Sequence, residues 1–248
     1  MKRSLSNLSN YSIKTKDGSK GKIKDFLFDE EKWIIRYIDA DFGNLFTDRR
    51  ILIPTVLLGE PDWEEKVFPV NLSEENINTC PGLEDKAPVS REYESELNKH
   101  YNINFYWLPG YTMTSAPTML YPPRPFHIPE KEISEDDIDT NLRSYNEITG
   151  YHIDSTDGRL GQVNDIIIDE EDLQIVYAII DTSSWMPWSK QVIIPVSRLQ
   201  KISYVKREVS IDLHSDTIKS APEYEGIIEL NVEQENVLDD YYKNAGSK

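Results

Sequence analysis

Two pairs of aspartates recur in this sequence at the same spacing. Asp25 and Asp29 are four residues apart, as are Asp165 and Asp169, and both pairs lie in runs with the pattern of β-strands. Because side chains alternate between the faces of a strand, each pair is expected on one face. Paired carboxylates of this kind could bind a divalent cation or act as acid and base. Aspartates at strand ends also accept backbone hydrogen bonds, and we favour this structural role.

A basic stripe surrounds the first predicted hairpin, where even positions carry lysine. Its members are Lys14, Lys16, Lys20, Lys22 and Lys24. Such a stripe could contact an acidic partner, the acidic part of the chain itself or the phosphates of RNA. Charged residues on an edge strand also prevent aggregation, which is the structural alternative.

An aromatic loop is the best candidate for an exposed contact surface. It spans residues 183–188 and contains Trp185, Met186 and Trp188. Because Trp and Met are enriched at the centres of interfaces, we expect a contact with a partner or a second subunit. The alternative is packing against the rim of the chain's own barrel.

The sequence has no other group of residues with the spacing of a catalytic or cofactor site. Cys80 is the only cysteine, and the histidines are not at metal-ligand spacing. A glycine-rich phosphate loop and a nucleophile elbow are also missing from the sequence. We therefore predict no catalytic residue, no metal, no cofactor and no enzyme activity.

The chain consists of two related copies of one module. Residues 3–41 match residues 143–181 at a spacing of 140, and residues 53–72 match residues 194–213 at a spacing of 141. This repeat is far longer than a solenoid unit, so each copy is expected to have its own core.

Each copy has the pattern of short strands joined by sharp turns. Asp-Gly pairs predict hairpin turns, and a glycine three residues later predicts a bulge or a close backbone approach. This repeated structural motif consists of Asp17, Gly18, Gly21, Asp25, Asp157, Gly158, Gly161 and Asp165. The strand runs follow without the rhythm of βαβ units. The predicted fold is mainly β, with two tandem small antiparallel β-barrels, each followed by short helices.

The predicted domains follow the two copies. Residues 1–102 form the first barrel domain with its C-terminal helix, and residues 140–248 form the second. Residues 103–139 form a linker that is first rich in proline and aromatic residues and then acidic. Its aromatic part is expected to pack against a barrel or a second subunit, because it has too many aromatic side chains for a solvated linker.

The charge distribution limits the classes of partner. The net charge is −17 in 248 residues, and most of the acidic excess lies outside the repeated cores. Nucleic acid and anionic membranes require a positive face, so neither is expected as a partner. No run approaches the roughly 18 apolar residues of a membrane span, and we recognise no signal peptide. We therefore expect a cytoplasmic protein.

The second copy resembles the PRC-barrel domain, a family named for the H subunit of the photosynthetic reaction centre. The residues that carry the likeness are Leu142, Arg143, Ser144, Gly150, Tyr151, Asp157, Gly158, Gly161, Asp165, Asp169, Tyr177, Asp181, Ile194, Pro195 and Leu199. The first copy departs slightly, since Tyr11 lacks the preceding glycine and Asp39 stands where the second copy has Ile179. The resemblance implies a small β-barrel in each copy.

The resemblance implies several functions, because one fold carries many. Reaction-centre H subunits support quinone-linked electron and proton transfer, and a ribosome maturation factor uses a similar barrel in 16S rRNA processing. Free-standing tandem proteins of bacteria form a third group, to which this sequence is most similar. We therefore expect a noncatalytic protein-binding or assembly module that forms a homodimer. The alternatives are a soluble accessory to electron transfer, an RNA-binding barrel and an aspartate-dependent metal enzyme.

Overall fold

The protein is built on two β-sheets. The computed structural model describes residues 1–43, 49–83, 89–107, 141–182, 190–224, 226 and 229–245. The chain is mainly β, and its sheets form two separate β units. The prediction of a mainly β chain with two β units is thus confirmed.

The first copy supplies strands that are followed by helices. Its elements are β1 (Lys2–Ser4), α1 (Leu5–Leu8), β2 (Ser12–Thr15), β3 (Lys20–Asp29), β4 (Ile34–Asp41), β5 (Arg50–Pro54), a 3₁₀ turn (Thr55–Leu57), β6 (Val67–Val70), α2 (Glu74–Thr79) and α3 (Arg91–Tyr101). The strands pair in the order β5-β4-β3-β2-β6. Strand β4 has a neighbour on each side, as its almost continuous apolar run predicts.

The second copy repeats this order. Its elements are β7 (Leu142–Ser144), α4 (Tyr145–Ile148), β8 (His152–Ser155), β9 (Gly158–Asp169), β10 (Ile175–Asp181), β11 (Gln191–Pro195), a 3₁₀ turn (Val196–Arg198), β12 (Leu199–Ser203), β13 (Glu208–Ile211), α5 (Ser215–Ser220), β14 (Glu229–Leu230) and α6 (Val232–Ala245). The strands pair in the order β11-β10-β9-β8-β13-β12. In the first copy, the place of β12 is taken by two isolated bridges, Leu58 to Val70 and Asp62 to Val67.

One strand pair in each sheet is parallel and so departs from the predicted antiparallel pairing. Strand β2 pairs in parallel with β6, with Ile13 opposite Phe68, and β8 pairs in the same way with β13. Tight turns reverse the chain between strands that are neighbours in sequence, and they predicted the antiparallel pairs. Strands β2 and β6 are separated by the rest of the sheet, so no turn fixes their relative direction.

The later glycine of the repeated motif has a steric cause in both copies. A Cβ at Gly161, where φ is +59°, would lie 2.2 Å from the Asp181 carbonyl oxygen. A Cβ at Gly21 would lie 2.6 Å from the ring of Phe42. The close backbone approach predicted from the later glycine is thus found at Gly161, whereas the close atoms at Gly21 belong to the Phe42 side chain.

The N-terminal strand of each copy pairs with the sheet of the other copy. Strand β1 pairs antiparallel with β9, with Arg3 opposite Ile168, and β7 pairs antiparallel with β3, with Arg143 opposite Phe28. The short helices α1 and α4 follow these strands and contact the same sheets. Together, residues 2–8 and 142–148 are the exchanged segments. The predicted domain limits stay predictions, but each unit includes one strand from the other copy.

The exchanged segments also connect the cores. Leu5 and Leu8 are buried in the first segment, as are Tyr145 and Ile148 in the second. The Tyr145 ring lies 6.3 Å from the ring of Phe26, which belongs to the other copy. The buried apolar side chains of both copies therefore form one continuous cluster, and the expectation of a separate core in each copy was incomplete.

Candidate functional site

Ion pairs hold the exchanged segments in both directions. The Arg3 Nε lies 2.5 Å from Glu170 Oε1, and the Arg143 Nη2 lies 2.6 Å from Glu30 Oε1. These residues are equivalent at the spacing of 140, and each pair joins one copy to the other. The Arg3 and Glu170 side chains are nearly buried, so loss of either would leave a poorly solvated charge.

A buried aspartate on β9 fixes the first exchanged segment. Asp165 accepts hydrogen bonds from the Ser4 hydroxyl and from the Ser6 N–H at 3.2 Å. The Tyr145 hydroxyl donates at 2.9 Å and the Ile166 N–H at 2.8 Å. With this set of donors, the carboxylate is stabilised away from water.

Asp25 on β3 has the equivalent role for the second segment. It accepts hydrogen bonds from the Ser144 hydroxyl at 2.5 Å and the Asn146 N–H at 3.0 Å, and from the Phe26 N–H at 2.8 Å. Burial raises the pKa of Asp25, and the hydrogen bonds from Ser144 and Asn146 oppose this change. The repeated aspartate therefore stabilises the contact between the copies.

Two reciprocal backbone hydrogen bonds join the units at equivalent positions. The Ile35 N–H donates to the Leu173 carbonyl at 3.0 Å, and the Ile175 N–H donates to the Trp33 carbonyl at 2.6 Å. Trp33 and Leu173 are equivalent residues, and both have a left-handed backbone, with φ of 56° and 58°. Such a conformation is strained for large side chains, yet it occurs in both copies where they meet.

The aspartate pairs that suggested a cation or acid–base site face different neighbours. Asp29 accepts from the Glu31 and Lys32 N–H groups and from the buried Arg36 side chain at 3.2 Å. Between Leu27 and Phe28 the register with β4 shifts by one residue, because Arg36 of β4 has no partner on β3. Within the described part of the chain, no three His, Cys, Asp or Glu residues are grouped to hold a metal ion.

The turn aspartates of the repeated motif join each hairpin to the helix that follows the sheet. Asp17 accepts from the Glu74 N–H at 2.7 Å at the start of α2, and Asp157 accepts from the Ser215 N–H and hydroxyl at 2.7 Å at the start of α5. Hydrogen bonds from Thr15 and Glu74 lower the pKa of Asp17. Those from Ser215 lower the pKa of Asp157 to about 2.

The predicted basic stripe lies exposed on the β2–β3 hairpin, where Lys14 is opposite Lys20. Lys24 lies 3.4 Å from Asp41, whereas the other members have no carboxylate at ion-pair distance among the described residues. Together Lys14, Lys16, Lys20, Lys22 and Lys24 form the lysine face. The equivalent positions of the second copy hold Asp154, Thr156, Leu160, Gln162 and Asn164.

Other predicted contact residues lie outside the described part of the chain. They are Trp185, Met186 and Trp188, together with linker residues 108–140. The helices that are described are too short or too polar to cross a membrane.

The beginning of the linker packs against the first unit. Phe105 is buried, and the guanidinium carbons of Arg36 and Arg91 lie 4.2 and 4.4 Å from the ring centres of Tyr106 and Trp107. The aromatic part was expected to pack against a barrel or a second subunit, and this stretch packs against the first unit of its own chain. The buried Arg36 was missed from sequence, because the second copy has an apolar residue at its position and the repeat gave no signal.

One family comparison agrees with these observations. Residues 141–218, from the exchanged strand β7 into α5, match the family described as PRC-barrel domain. A comparison with curated proteins found no match to the chain. The resemblance stated for the second copy is thus confirmed. Over residues 141–218 the chain is therefore similar to the PRC-barrel domain.

Proposed function

We propose that the protein is a noncatalytic protein-binding and assembly module. The reciprocal exchange of β1 and β7 is the observation that supports this most directly. Because the strands cross in both directions, the units cannot separate without breaking both strand pairs. A joined pair of units presents its outer surfaces at a constant spacing, which suits a protein that holds partners together.

The lysine face is the surface that we propose for an acidic protein partner. Strand β2 lies between β3 and β6, so the protection of an edge strand does not account for its lysines. Exposed lysines without ion pairs attract an acidic surface and accelerate its association. RNA is the weaker candidate, because the net charge of −17 repels a phosphate backbone at long range.

Two labelled polyanions distinguish these partners. Binding of a poly-glutamate peptide and of a poly-uridine RNA of equal charge is measured by fluorescence anisotropy at low salt. We expect the peptide to bind and its affinity to fall about tenfold or more in a variant with three reversed charges on the lysine face. The test variant carries Lys14→Glu, Lys20→Glu and Lys22→Glu.

A matched variant controls for net charge. It reverses three exposed lysines elsewhere, through Lys32→Glu, Lys99→Glu and Lys201→Glu. An equal loss of affinity in both variants would contradict a specific lysine face. Tighter binding of the RNA than of the peptide would assign the surface to nucleic acid instead.

We also propose that the chain forms a homodimer through the segment Phe105–Phe126 or the loop Trp185–Trp188. Because Phe105 is already buried against its own unit, the loop is the favoured contact. Light scattering at micromolar concentration decides this. A mass near twice 28.8 kDa supports the dimer, and a mass of 28.8 kDa that is unchanged on concentration contradicts it.

The first unit is proposed to be a second PRC barrel, in a cytoplasmic tandem protein of the bacterial type. Strands β2 to β6 pair as β8 to β11 and β13 do, including the parallel pair, and this common topology supports the proposal. An accessory to electron transfer, in the manner of reaction-centre H subunits, is the alternative within the family. It predicts co-purification with quinone-binding membrane complexes, which the assembly module does not require.

The absence of catalysis is likewise a proposal. Asp25 and Asp165 are engaged by hydrogen bonds from the exchanged segments, which supports a structural use of these carboxylates. Screens for esterase, phosphatase and nuclease activity of the full chain should read at background. An activity that disappears in Asp29→Asn, with an unchanged melting temperature, would show that a carboxylate acts in chemistry.

A further inference from the structure

A groove lies between helix α6 and the sheet of the second unit. It has a volume of about 280 Å³. Its floor is formed by the buried side chains of Ile193, Leu230 and Leu238, and Tyr224 and Gln234 form part of its walls. Small-molecule sites begin at roughly 300 Å³, so the groove has room for one compact ligand.

The equivalent helix of the first copy, α3, shares one docking contact with α6, whereas the equivalent tyrosines Tyr101 and Tyr242 bond different groups. The His100 Nε2 lies 3.1 Å from the Asn76 carbonyl, and the Tyr241 hydroxyl donates at 2.6 Å to the Thr217 carbonyl. These contacts join residues that are equivalent at the spacing of 141. The first copy therefore shows which side chain occupies the place equivalent to the groove.

In the first copy a tyrosine takes this place. Tyr93 is equivalent to Gln234, and its hydroxyl donates at 3.0 Å to the carbonyl of Pro81. The equivalent of Pro81 is Pro222, which lines the groove. The Tyr93 ring thus spans from the helix to this carbonyl, whereas the shorter Gln234 leaves the space open.

The mouth of the groove differs from the first copy in polarity and charge. Val237, which is 53% exposed, stands where the first copy has Glu96, and Glu223 stands where it has Gly82. Glu223 and Glu233 are exposed and have no cation at ion-pair distance among the described residues. An apolar lip beside unpaired carboxylates favours a ligand with an apolar body and a positive end.

We infer that this groove binds a small phenol that carries a protonated amine. The phenol ring takes the place of the Tyr93 ring against the Tyr224 wall, where aromatic rings associate favourably. Its hydroxyl donates to the Pro222 carbonyl, and its amine lies near Glu223 and Glu233. The groove is remote in sequence from the lysine face, so this inference goes beyond the proposed function and does not depend on it.

Tyramine is the probe, and amide chemical shifts of the full chain are the measurement. We expect shifts at Glu223, Tyr224, Gln234 and Val237, with a dissociation constant on the order of 1 mM for a ligand of this size. Phenethylamine, which lacks the hydroxyl, should bind about five times more weakly. For 4-hydroxyphenylacetate, which reverses the charge, we expect about three times weaker binding at low salt.

Gln234→Tyr restores the residue of the first copy and should abolish the shifts. The converse variant, Tyr93→Gln, should create a second tyramine site with new shifts at Gly82 and Leu83. If Gln234→Tyr does not fold, Gln234→Phe fills the groove without a hydroxyl and should have the same effect.

Three outcomes would overturn the inference. The first is an absence of shifts in the wild-type chain at 10 mM tyramine, and the second is binding that persists in a folded Gln234→Tyr chain. The third is observed without tyramine: the amide chemical shifts of the groove residues change with protein concentration in the wild-type chain but not in Gln234→Tyr. This result would assign the groove to a second copy of the chain.

Discussion

At the scale of single residues, each buried aspartate of the repeat stabilises a segment that the other copy donates. Asp165 accepts from Ser4 and Ser6, and Asp25 accepts from Ser144 and Asn146. A buried carboxylate that loses a donor keeps its desolvation cost without the compensating bond. The stability of one unit should therefore respond to substitutions in the other copy.

Ser4→Ala tests this dependence. The substitution removes a hydroxyl that donates to a buried carboxylate, so the free energy of unfolding should fall by about 2 kcal/mol. Urea denaturation of the full chain measures the loss. Hydrogen exchange should become faster in β9, at Ile166 to Ile168, although the substitution lies in the first copy.

Ser6→Ala is the matched control for this variant. Ser6 bonds Asp165 through its backbone N–H, which alanine retains, and its hydroxyl lies 2.7 Å from the Ser4 hydroxyl but makes no bond to Asp165. The loss of stability in Ser6→Ala should therefore be smaller than in Ser4→Ala. An equal loss in Ser4→Ala and Ser6→Ala would contradict a specific role for the Ser4 hydroxyl.

The pKa of Asp157 predicts one contribution to acid stability. Hydrogen bonds from Ser215 lower it from 3.8 to about 2, so in this range the unfolded chain binds a proton more readily than the folded chain. The stabilisation is complete above pH 3.8 and is lost as the pH falls towards 2. In Asp157→Asn the urea midpoint should decrease less steeply over this range than in the wild type. An unchanged slope in Asp157→Asn would contradict this contribution.

At the scale of elements, local chemistry was predictable from the sequence. The Asp-Gly turns lie where the sequence predicts them, because a few adjacent residues determine a turn. The parallel pairing of β2 with β6 was not predictable in this way. It depends on the path of the whole sheet, for which no short motif exists.

The exchange itself was hidden by the repeat. Arg3 and Glu30 recur as Arg143 and Glu170, so pairing within a copy and pairing between copies involve the same residue types. A sequence of two like copies cannot distinguish these arrangements. These four residues are part of the match that reveals the repeat, and they also join the two copies. Only the structure shows which copy each of them contacts.

This ambiguity predicts the behaviour of residues 140–248 expressed alone. The fragment retains β7 and β9 but lacks β1, so β7 of one molecule can pair with β9 of another. Arg143 would then face Glu170, and Ser144 would face Asp165, as their equivalents do in the full chain. Light scattering should give twice the fragment mass, and Arg143→Glu should reduce the dimer fraction. A folded monomer at high micromolar concentration would contradict reciprocal exchange between fragments.

At the scale of the whole molecule, the two units are joined independently of the linker. The strand pairs, the ion pairs and the backbone bonds of Ile35 and Ile175 all connect them directly. The chain that connects the copies is therefore not needed to keep them together once both have folded.

Cleavage of the linker tests this independence. With a specific protease site inserted between residues 108 and 140, the two halves should co-elute after cleavage under native conditions. In a chain that carries Arg3→Glu and Arg143→Glu, the new glutamates would face Glu170 and Glu30. This repulsion should weaken the contact, so that the halves separate after cleavage. Separation of the wild-type halves on cleavage would show that the direct contacts are too weak to hold the units.

The exchanged segments also have a consequence for synthesis on the ribosome. Residues 2–8 leave the ribosome long before β9 exists, and at roughly 5–20 residues per second this delay is on the order of 10 s. The first sheet meanwhile lacks β7, and Asp25 lacks the donors Ser144 and Asn146 until residues 144–146 have emerged. A nascent chain thus carries a free strand and an open sheet edge at the same time. Neighbouring chains on one polysome offer each other these missing partners, so pairing between nascent chains is the reaction with which correct folding competes.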